Sequence, residues 1–410
     1  MDTKVLIIGA GHAGIETAAS LRNLGFSGKI EIFDQENTLP YQKPPLSTSF
    51  IKSFDTKEAL LRSKEWYDNN KIDLKLNTNI KLINDNNKSL SDENNNFYHY
   101  DKLVIATGSK NNLLGIDTKE YQKGKFFSLR NLEDSKRIRK KISEIHTITI
   151  IGAGFIGLEI ATTALQLNKD VTIIENSENV MGRSISKDLS KWLINYYTKS
   201  GIKFIFNKSF KSFKSVENST MNVVLSDDTK INSGMVLISA GSKPNDLLFK
   251  SIKVNEFNKI KVNSFLETNI NDIYAIGDCC FFDYYSKEVR LESIQNATDQ
   301  AKTVAKNILG MKELYNFVPW FWSDQLNIKL QIVGLLDLNS NIETKIIGSQ
   351  ESSKFSNFIF IDNQLQAVES INSPGHHLIM KSNWGKRHLL KKDLFTSDLN
   401  LKNFFNSLTK

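Results

Sequence analysis

Apolar and polar positions divide most of the chain into short apolar runs separated by segments of helical period. From Thr3 to Asp34 an apolar run (Val5-Leu6-Ile7-Ile8) leads into a glycine turn, a helix-period segment and a second apolar run (Ile30-Glu31-Ile32-Phe33). That order predicts a βαβ unit of roughly 30 residues, the building block of a parallel sheet. A Pro-rich loop at 40–45 follows, then a helical stretch to about Asn70. The polar, Asn-rich segment 79–99 predicts a surface hairpin, and Lys102 to Ile105 a buried strand ending in Ala106-Thr107-Gly108. A second βαβ unit begins at Thr147 and closes at Glu175. Strands are predicted again at Met235 to Ser239, ending in Ala240-Gly241, and at Ile273 to Ile276, ending in Gly277-Asp278. A helical stretch covers 291–309. From about Trp320 the βα rhythm stops. Alternating segments at Lys329–Val333, Phe358–Ile361 and Gln366–Ser370 predict a separate α+β region.

The turns of the two βαβ units carry the chemistry. The first reads Gly9-Ala10-Gly11-His12-Ala13-Gly14, between strand and helix, with Asp34 lying 20 residues beyond Gly14. Glycines at these positions allow a tight turn, close approach of backbone to a pyrophosphate, and close packing of helix on strand. The phosphate then meets the N–H groups and positive end of the helix. Asp34 is placed to accept from ribose hydroxyls, with Glu36 as a weaker substitute, and His12 reads as a packing or surface residue rather than a catalyst. The second turn reads Gly152-Ala153-Gly154-Phe155-Ile156-Gly157, with Glu175 18 residues beyond its last glycine. One such turn is weak evidence. Two, each with its acid at the expected distance, point to two dinucleotides, for which FAD and a nicotinamide are the usual pair. A carboxylate at Glu175 bonds a 2′-hydroxyl and repels a 2′-phosphate, which favours NADH over NADPH. Arg183 is the one nearby cation placed to reach the nucleotide.

Composition narrows the picture. With 410 residues, 40% hydrophobic and 24% charged, the chain is long enough for two or three domains that need neither disulfide nor structural metal. Its only two cysteines, Cys279 and Cys280, are neighbours. Spacing of that kind excludes a disulfide framework, a Cys-rich metal site and a redox CxxC or CxxxxC pair. Cys279 is expected to be an inert packing thiol, and no metal site is expected. The net charge of +8 comes from 45 Lys and only 8 Arg. Such a balance suits either solvated faces or steering toward an acidic protein, and it disfavours nucleic acid, since no basic run interleaves with aromatics. No apolar stretch reaches the ~18 residues of a membrane span. The first strand begins too early to leave room for a leader, and the expected location is the cytoplasm.

Taken with further motifs, the chain resembles the FAD-dependent ferredoxin reductases of oxygenase systems, the putidaredoxin and rubredoxin reductase type, over essentially its whole length. The motifs are Pro40-Tyr41-Gln42-Lys43-Pro44-Pro45-Leu46-Ser47, Tyr100 to Gly108, Asp272 to Cys279, Arg290 to Ala297, and Pro319-Trp320-Phe321-Trp322-Ser323-Asp324-Gln325. The resemblance implies two Rossmann-like dinucleotide-binding domains plus a C-terminal α+β domain. The FAD domain (1–112 and 245–318) would be split by an inserted NADH domain (113–244), with the α+β domain at 319–410. FAD would be bound by Gly9, Gly11, His12, Ala13, Gly14, Asp34, Lys43, Pro44, Ala106, Thr107, Gly108, Gly277 and Asp278. Gln295, Asn296 and Ala297 would bring a helix end to the isoalloxazine, and Trp320 would lie at its edge. NADH would be held by Gly152, Gly154, Phe155, Ile156, Gly157, Glu175, Arg183 and Gly241. Glu159, placed in the first turn of the second helix, matches a glutamate near the nicotinamide that often pairs with a lysine following Pro-Pro-Leu-Ser. Here that lysine is Thr48, so Glu159 is expected to lack its usual partner.

The implied activity is electron transfer from NADH through FAD to an acidic 2Fe–2S ferredoxin, or a rubredoxin, serving an oxygenase or a P450. The catalytic set is Glu159, Lys43, Thr48 and Trp320. Two rivals remain open at this point. One is a diaphorase or oxidase using a small acceptor, the other an interaction protein of the apoptosis-inducing-factor type with slow turnover. The sequence admits a monomer or a homodimer.

Overall fold

The computed structural model describes residues 3–53, 59–215, 221–245, 248–249, 260–284, 287–337, 340–396 and 399–408. Strand Lys4–Ile8 lies at the centre of a five-stranded sheet in the order Ile273–Ala275, Lys102–Ile105, Lys4–Ile8, Lys29–Phe33, Ile72–Lys75. All neighbours run parallel. The central strand reads Val-Leu-Ile-Ile because both its faces are covered, and Val5, Leu6 and Ile7 have no exposed surface. Chain order reverses on either side of this strand. A crevice opens at the carboxyl ends of such strands, and the first glycine turn sits there. Helices His12–Asn23 and Ile294–Ile308 pack against each other, joining Ala13 and Ala18 to Ala297, Ala301 and Ala305 in one core.

The backbone divides into two compact units. The first comprises Met1–Lys43, Asp55–Lys110 and Ser242–Phe317, the second Pro44–Phe54, Asn111–Gly241 and Val318–Lys410. The second has its own parallel sheet, in the order Lys203–Ile205, Asp170–Ile174, Thr147–Ile151, Met235–Ile238. It also holds a five-stranded antiparallel sheet, in the order Trp320–Gln325, Ile328–Gly334, Gln364–Ile371, Lys354–Ile361, Glu343–Ser349. Helix Pro374–Ser382 packs on this sheet.

Both βαβ units, the strand pattern and the change of rhythm near Trp320 follow the sequence reading. Two expectations need correction. The stretch toward Asn70 is not one helix: a 3₁₀ turn (Pro44–Ser47) and helices Ser49–Lys52 and Lys64–Asn69 are interrupted where Leu60 bridges Tyr41. Ser63 starts the last helix by accepting from the Trp66 N–H, which is why the helix cannot extend backward. Segment 79–99 is a three-stranded meander (Ile80–Asn84, Ser89–Asp92, Phe97–His99), not a simple surface hairpin. Its Ile80, Ile83 and Leu90 enter the main core between polar neighbours. No helix among the described residues is long and apolar enough to cross a membrane.

Candidate functional site

The first turn is built around steric exclusion. Gly9 has φ +106°, donates its N–H to the Phe33 carbonyl at 2.8 Å, and has no room for a side chain: a Cβ would fall 2.3 Å from the Ala106 carbonyl oxygen. Gly14 lets the helix approach the strand, since a Cβ there would fall 2.0 Å from the Gly9 oxygen. Gly11 differs from both. Its φ is −73°, and a Cβ would meet nothing within 4 Å. Neither backbone strain nor protein packing therefore requires glycine at Gly11. The helix it precedes has no side-chain cap and no acid in its first turn, so its N–H groups remain available to an anion. Asp34 holds the loop from the neighbouring strand, accepting from Ala10 N–H at 2.7 Å and Glu36 N–H at 2.8 Å.

Around this turn the fold gathers several of the expected residues. Gly277 (φ +75°) faces both Ala13 and Ala297, whose Cβ atoms would lie 3.5 and 3.9 Å from a Cβ on that glycine. Asp278 accepts from Ser109 Oγ at 3.1 Å, and its carbonyl accepts from Arg290. Gly108 also has positive φ, and the Thr107 carbonyl accepts from Asn245 Nδ2 at 2.6 Å. Lys43 donates to Glu36 at 3.1 Å and to the Tyr41 hydroxyl at 3.0 Å, with its ammonium 4.4 Å from the Tyr41 ring centre. Burial and the Lys43 charge push His12 down to about 4, although Asp278 opposes them, so His12 is neutral at physiological pH. Asn296 is occupied: its amide donates to Leu291 and its carbonyl accepts from Tyr315. Gln295, beside it, has a buried amide oxygen with no partner.

The second turn repeats the first almost atom for atom. Gly152 has φ +105°, donates to the Ile174 carbonyl at 2.8 Å, and would drive a Cβ to 2.3 Å from the Ser239 oxygen. A Cβ on Gly157 would fall 2.3 Å from the Gly152 oxygen, whereas one on Gly154 would meet nothing within 4 Å. Glu175 accepts from Ala153 N–H at 2.8 Å and from the Ser177 N–H and hydroxyl. Gly241 leaves space that the Arg183 guanidinium occupies, with Nη2 3.1 Å from where a Cβ would stand. Phe155 packs on Phe321 at 4.2 Å between ring centres, and Ile156 is exposed.

Glu159 is not in the first turn of its helix. Gly154 is the N-cap and Phe155 the first helical residue, so Glu159 begins the second turn. No lysine pairs with it among the described residues. Instead Ser47 Oγ donates to Oε2 and Ser323 Oγ to Oε1, each at 2.5 Å. Burial raises its carboxyl above the ordinary range and Asp324 adds to the rise, while the two hydroxyls pull the other way. Gln325 Nε2 in turn donates to Ser323 Oγ at 2.9 Å, and the Tyr197 hydroxyl donates to Gln325 Oε1. Thr48 is the N-cap of Ser49–Lys52 but makes no side-chain capping bond. Trp320 carries the Lys381 ammonium 3.7 Å from its ring centre, with Trp322 beside it at 5.7 Å. The sequence assigned no role to Ser47, Ser323, Gln325 or Tyr197; Ser47 and Ser323 stand in the Pro-rich and Trp-rich motifs, and that was their only signal.

Both turns fit a dinucleotide diphosphate. Each offers uncapped helix N–H groups, a loop held from behind by a carboxylate, and one glycine whose missing side chain leaves open space.

Comparison with known proteins agrees with this arrangement. Residues 3–301 match the family described as pyridine nucleotide-disulphide oxidoreductase, and 320–404 match the reductase C-terminal domain. Rhodocoxin reductase of Rhodococcus erythropolis is 33% identical over 378 residues, 91% of this chain and 87% of that protein. The ferredoxin reductase for the CYP199A2 system from Rhodopseudomonas palustris superposes with a TM-score of 0.91 at 31% identity, covering 98% of this chain and all of that one. The reductase of the covalent putidaredoxin reductase-putidaredoxin complex also gives 0.91, at 28% identity over 100% and 99% of the two chains.

Proposed function

The chain belongs to the pyridine nucleotide-disulphide oxidoreductase family, and we propose that within it the protein is an NADH:ferredoxin oxidoreductase. It is a flavoprotein oxidoreductase of FAD and NAD(H). Its acceptor is a small acidic 2Fe–2S ferredoxin or a rubredoxin, serving a cytoplasmic oxygenase or P450. When bound, FAD takes electrons from NADH in pairs and gives them up singly, as a one-electron iron–sulfur acceptor requires.

The chain's own residues bind, orient and insulate. The Gly9–Gly14 turn and the N–H groups of helix His12–Asn23 take the FAD pyrophosphate, Asp34 its ribose, and Asp278 the ribityl hydroxyls. Helix Ile294–Ile308 turns its N-terminus, with Gln295 at the first turn, toward the flavin. The Gly152–Gly157 turn takes NADH, with Glu175 accepting from the 2′-hydroxyl and Arg183 beside the nucleotide. We assign 1–112 and 245–318 to FAD, 113–244 to NADH and 319–410 to the C-terminal domain. Trp320, paired with Lys381, marks the side offered to the acceptor.

The observation that carries this reading is the doubled turn in a chain with no redox-active cysteine pair. Cys279 and Cys280 are buried and free, and burial pushes the Cys279 thiol up to about 11. Electrons therefore have no thiol destination within the chain and must leave it. The test is to purify the protein, record its flavin spectrum, and follow cytochrome c reduction by NADH or NADPH with and without 2Fe–2S ferredoxins. NADH-driven reduction that depends on added ferredoxin is expected. A colourless protein sinks the proposal, and full NADH consumption without ferredoxin replaces it with a diaphorase.

A further inference from the structure

Glu159 is held by two hydroxyls that are not equivalent. Ser323 Oγ receives a hydrogen bond from Gln325 Nε2 at 2.9 Å, so its own proton is left to point at Glu159 Oε1. Gln325 turns its oxygen to the Tyr197 hydroxyl, which leaves its Nε2 facing Ser323. An amide in the middle of this series passes no proton, so Tyr197 and Gln325 fix an orientation and do not form a proton wire. Ser47 is free to choose. Its Oγ lies 2.5 Å from Glu159 Oε2 and also 3.2 Å from the Pro44 carbonyl, which offers a second acceptor for the same proton. When Oε2 is ionised, Ser47 donates to it. When Oε2 carries a proton, Ser47 can accept that proton and donate to Pro44 instead.

We infer that Glu159 is a reversible proton-holding site beneath the second glycine turn, with Oε2 the proton-bearing oxygen, Ser47 the hydroxyl that reverses, and Ser323, Gln325 and Tyr197 positioning residues that keep Oε1 an acceptor. The inference rests on the proposed NADH site. Its consequence is a linkage between protons and nucleotide charge. Set beside the nicotinamide, as the resemblance implies, Glu159 would be favoured as the carboxylate by the cationic ring of NAD⁺, which would release its proton to solvent, whereas the neutral ring of NADH would leave that proton in place. The groups that face the carboxyl fit this role. Asp324 on the Trp320–Gln325 strand disfavours a second negative charge, Tyr197 on helix Lys187–Lys199 is neutral, and the Pro44–Ser47 turn supplies only a hydroxyl and a carbonyl. No ion pair to Glu159 occurs among the described residues. Glu159 keeps some exposed surface as a residue, while its carboxyl is desolvated.

The test is calorimetric titration of the FAD-loaded protein with NAD⁺ and with NADH, in buffers of different ionisation enthalpy, across a range of pH. Proton release is expected with NAD⁺ and not with NADH, and Glu159→Gln abolishes it while nucleotide binding persists. Ser323→Ala removes the fixed donor to the carboxylate and moves the release profile to higher pH. Tyr197→Phe, a milder change, moves it the same way by less; a purely structural role would alter stability and leave the pH profile where it is. Binding of NAD⁺ without proton release, or release unchanged in Glu159→Gln, overturns the inference and leaves the NADH site standing. Failure of both nucleotides to bind overturns the site and the inference together.

Discussion

The two compact units solve the same problem of buried acid in different ways. In the first, Glu31 meets Lys4 and Lys29, Asp272 meets Lys88 and Lys102, Glu36 meets Lys43, and Glu16 meets Arg62, while Asp34 and Asp92 are held by N–H, amide and hydroxyl donors. In the second, Glu159 and Glu369 have only neutral partners. Glu369, with no exposed surface, accepts from the Ser186 N–H and hydroxyl at 2.6 Å each and from Asn357. The glycine turns share their left-handed first glycine and their steric contacts, and Glu16 and Glu159 both stand two residues past the last glycine. The turn is therefore generic, while the charge behind it is set by tertiary partners. Burial raises the Glu159 and Glu369 carboxyls against the pull of their neutral donors, so both are poised to take up a proton.

The largest expected effects test the shared part. Gly9→Ala and Gly152→Ala each force a Cβ onto a carbonyl at 2.3 Å in a left-handed backbone, a strain of about 3 kcal/mol or more. Gly9→Ala is expected to give insoluble or colourless protein. Gly11→Ala should instead keep the thermal midpoint of the apoprotein and lose FAD, and Gly154→Ala should keep FAD and weaken NADH roughly tenfold or more. Equal stability loss at all four positions would refute the assignment of open and closed glycines.

The next effect separates the units by pH. Burial lifts Glu369 from its ordinary 4.5 to about 7. Between those values the unfolded chain releases a proton that the folded chain keeps, so stability falls as pH rises through this window and remains lower above it. Glu369→Gln removes the titration and should recover up to about 3 kcal/mol above neutral pH, read as the difference in urea midpoint. A variant no more stable there than the parent would mean that Glu369 is ionised throughout.

Smaller effects follow. Glu175→Gln retains an acceptor for Ala153 but lifts the repulsion of a 2′-phosphate, and should raise the NADPH-to-NADH ratio of kcat/KM about tenfold. Glu16→Gln breaks a 3.8 Å pair with a partly exposed Arg62 and should change stability by less than about 1 kcal/mol. A larger loss would show that cations in the first unit matter more than its exposure implies.

The glycine turns, both strand-helix-strand units and the acids at their strand ends were legible in the sequence because each is local. Steric demands at Gly9 or Gly152 are met within one supersecondary unit, and spacing encodes them. What escaped was long-range. Ser47 reaches Glu159 across 112 residues and Ser323 across 164, so no local pattern could pair them. Thr48 drew attention as the missing lysine, while the residue before it supplied the contact. The Asn-rich meander hid its Ile and Leu anchors among polar neighbours, and the cap at Ser63 broke a helix that periodicity alone would have continued.

The placing of the first sheet's edge strand has a consequence for synthesis. Strand Lys102–Ile105 leaves the ribosome long before its partner Ile273–Ala275, and helix Ile294–Ile308 comes later still. At typical elongation rates the nascent chain carries an unpaired sheet edge for on the order of ten to thirty seconds while the second unit is made. Chains stalled or cleaved in that interval contain the entire first glycine turn yet cannot close the sheet behind it. Their open sheet edge is exposed to chaperones and proteases, and the elements around the first glycine turn are complete only once about three quarters of the chain has been made.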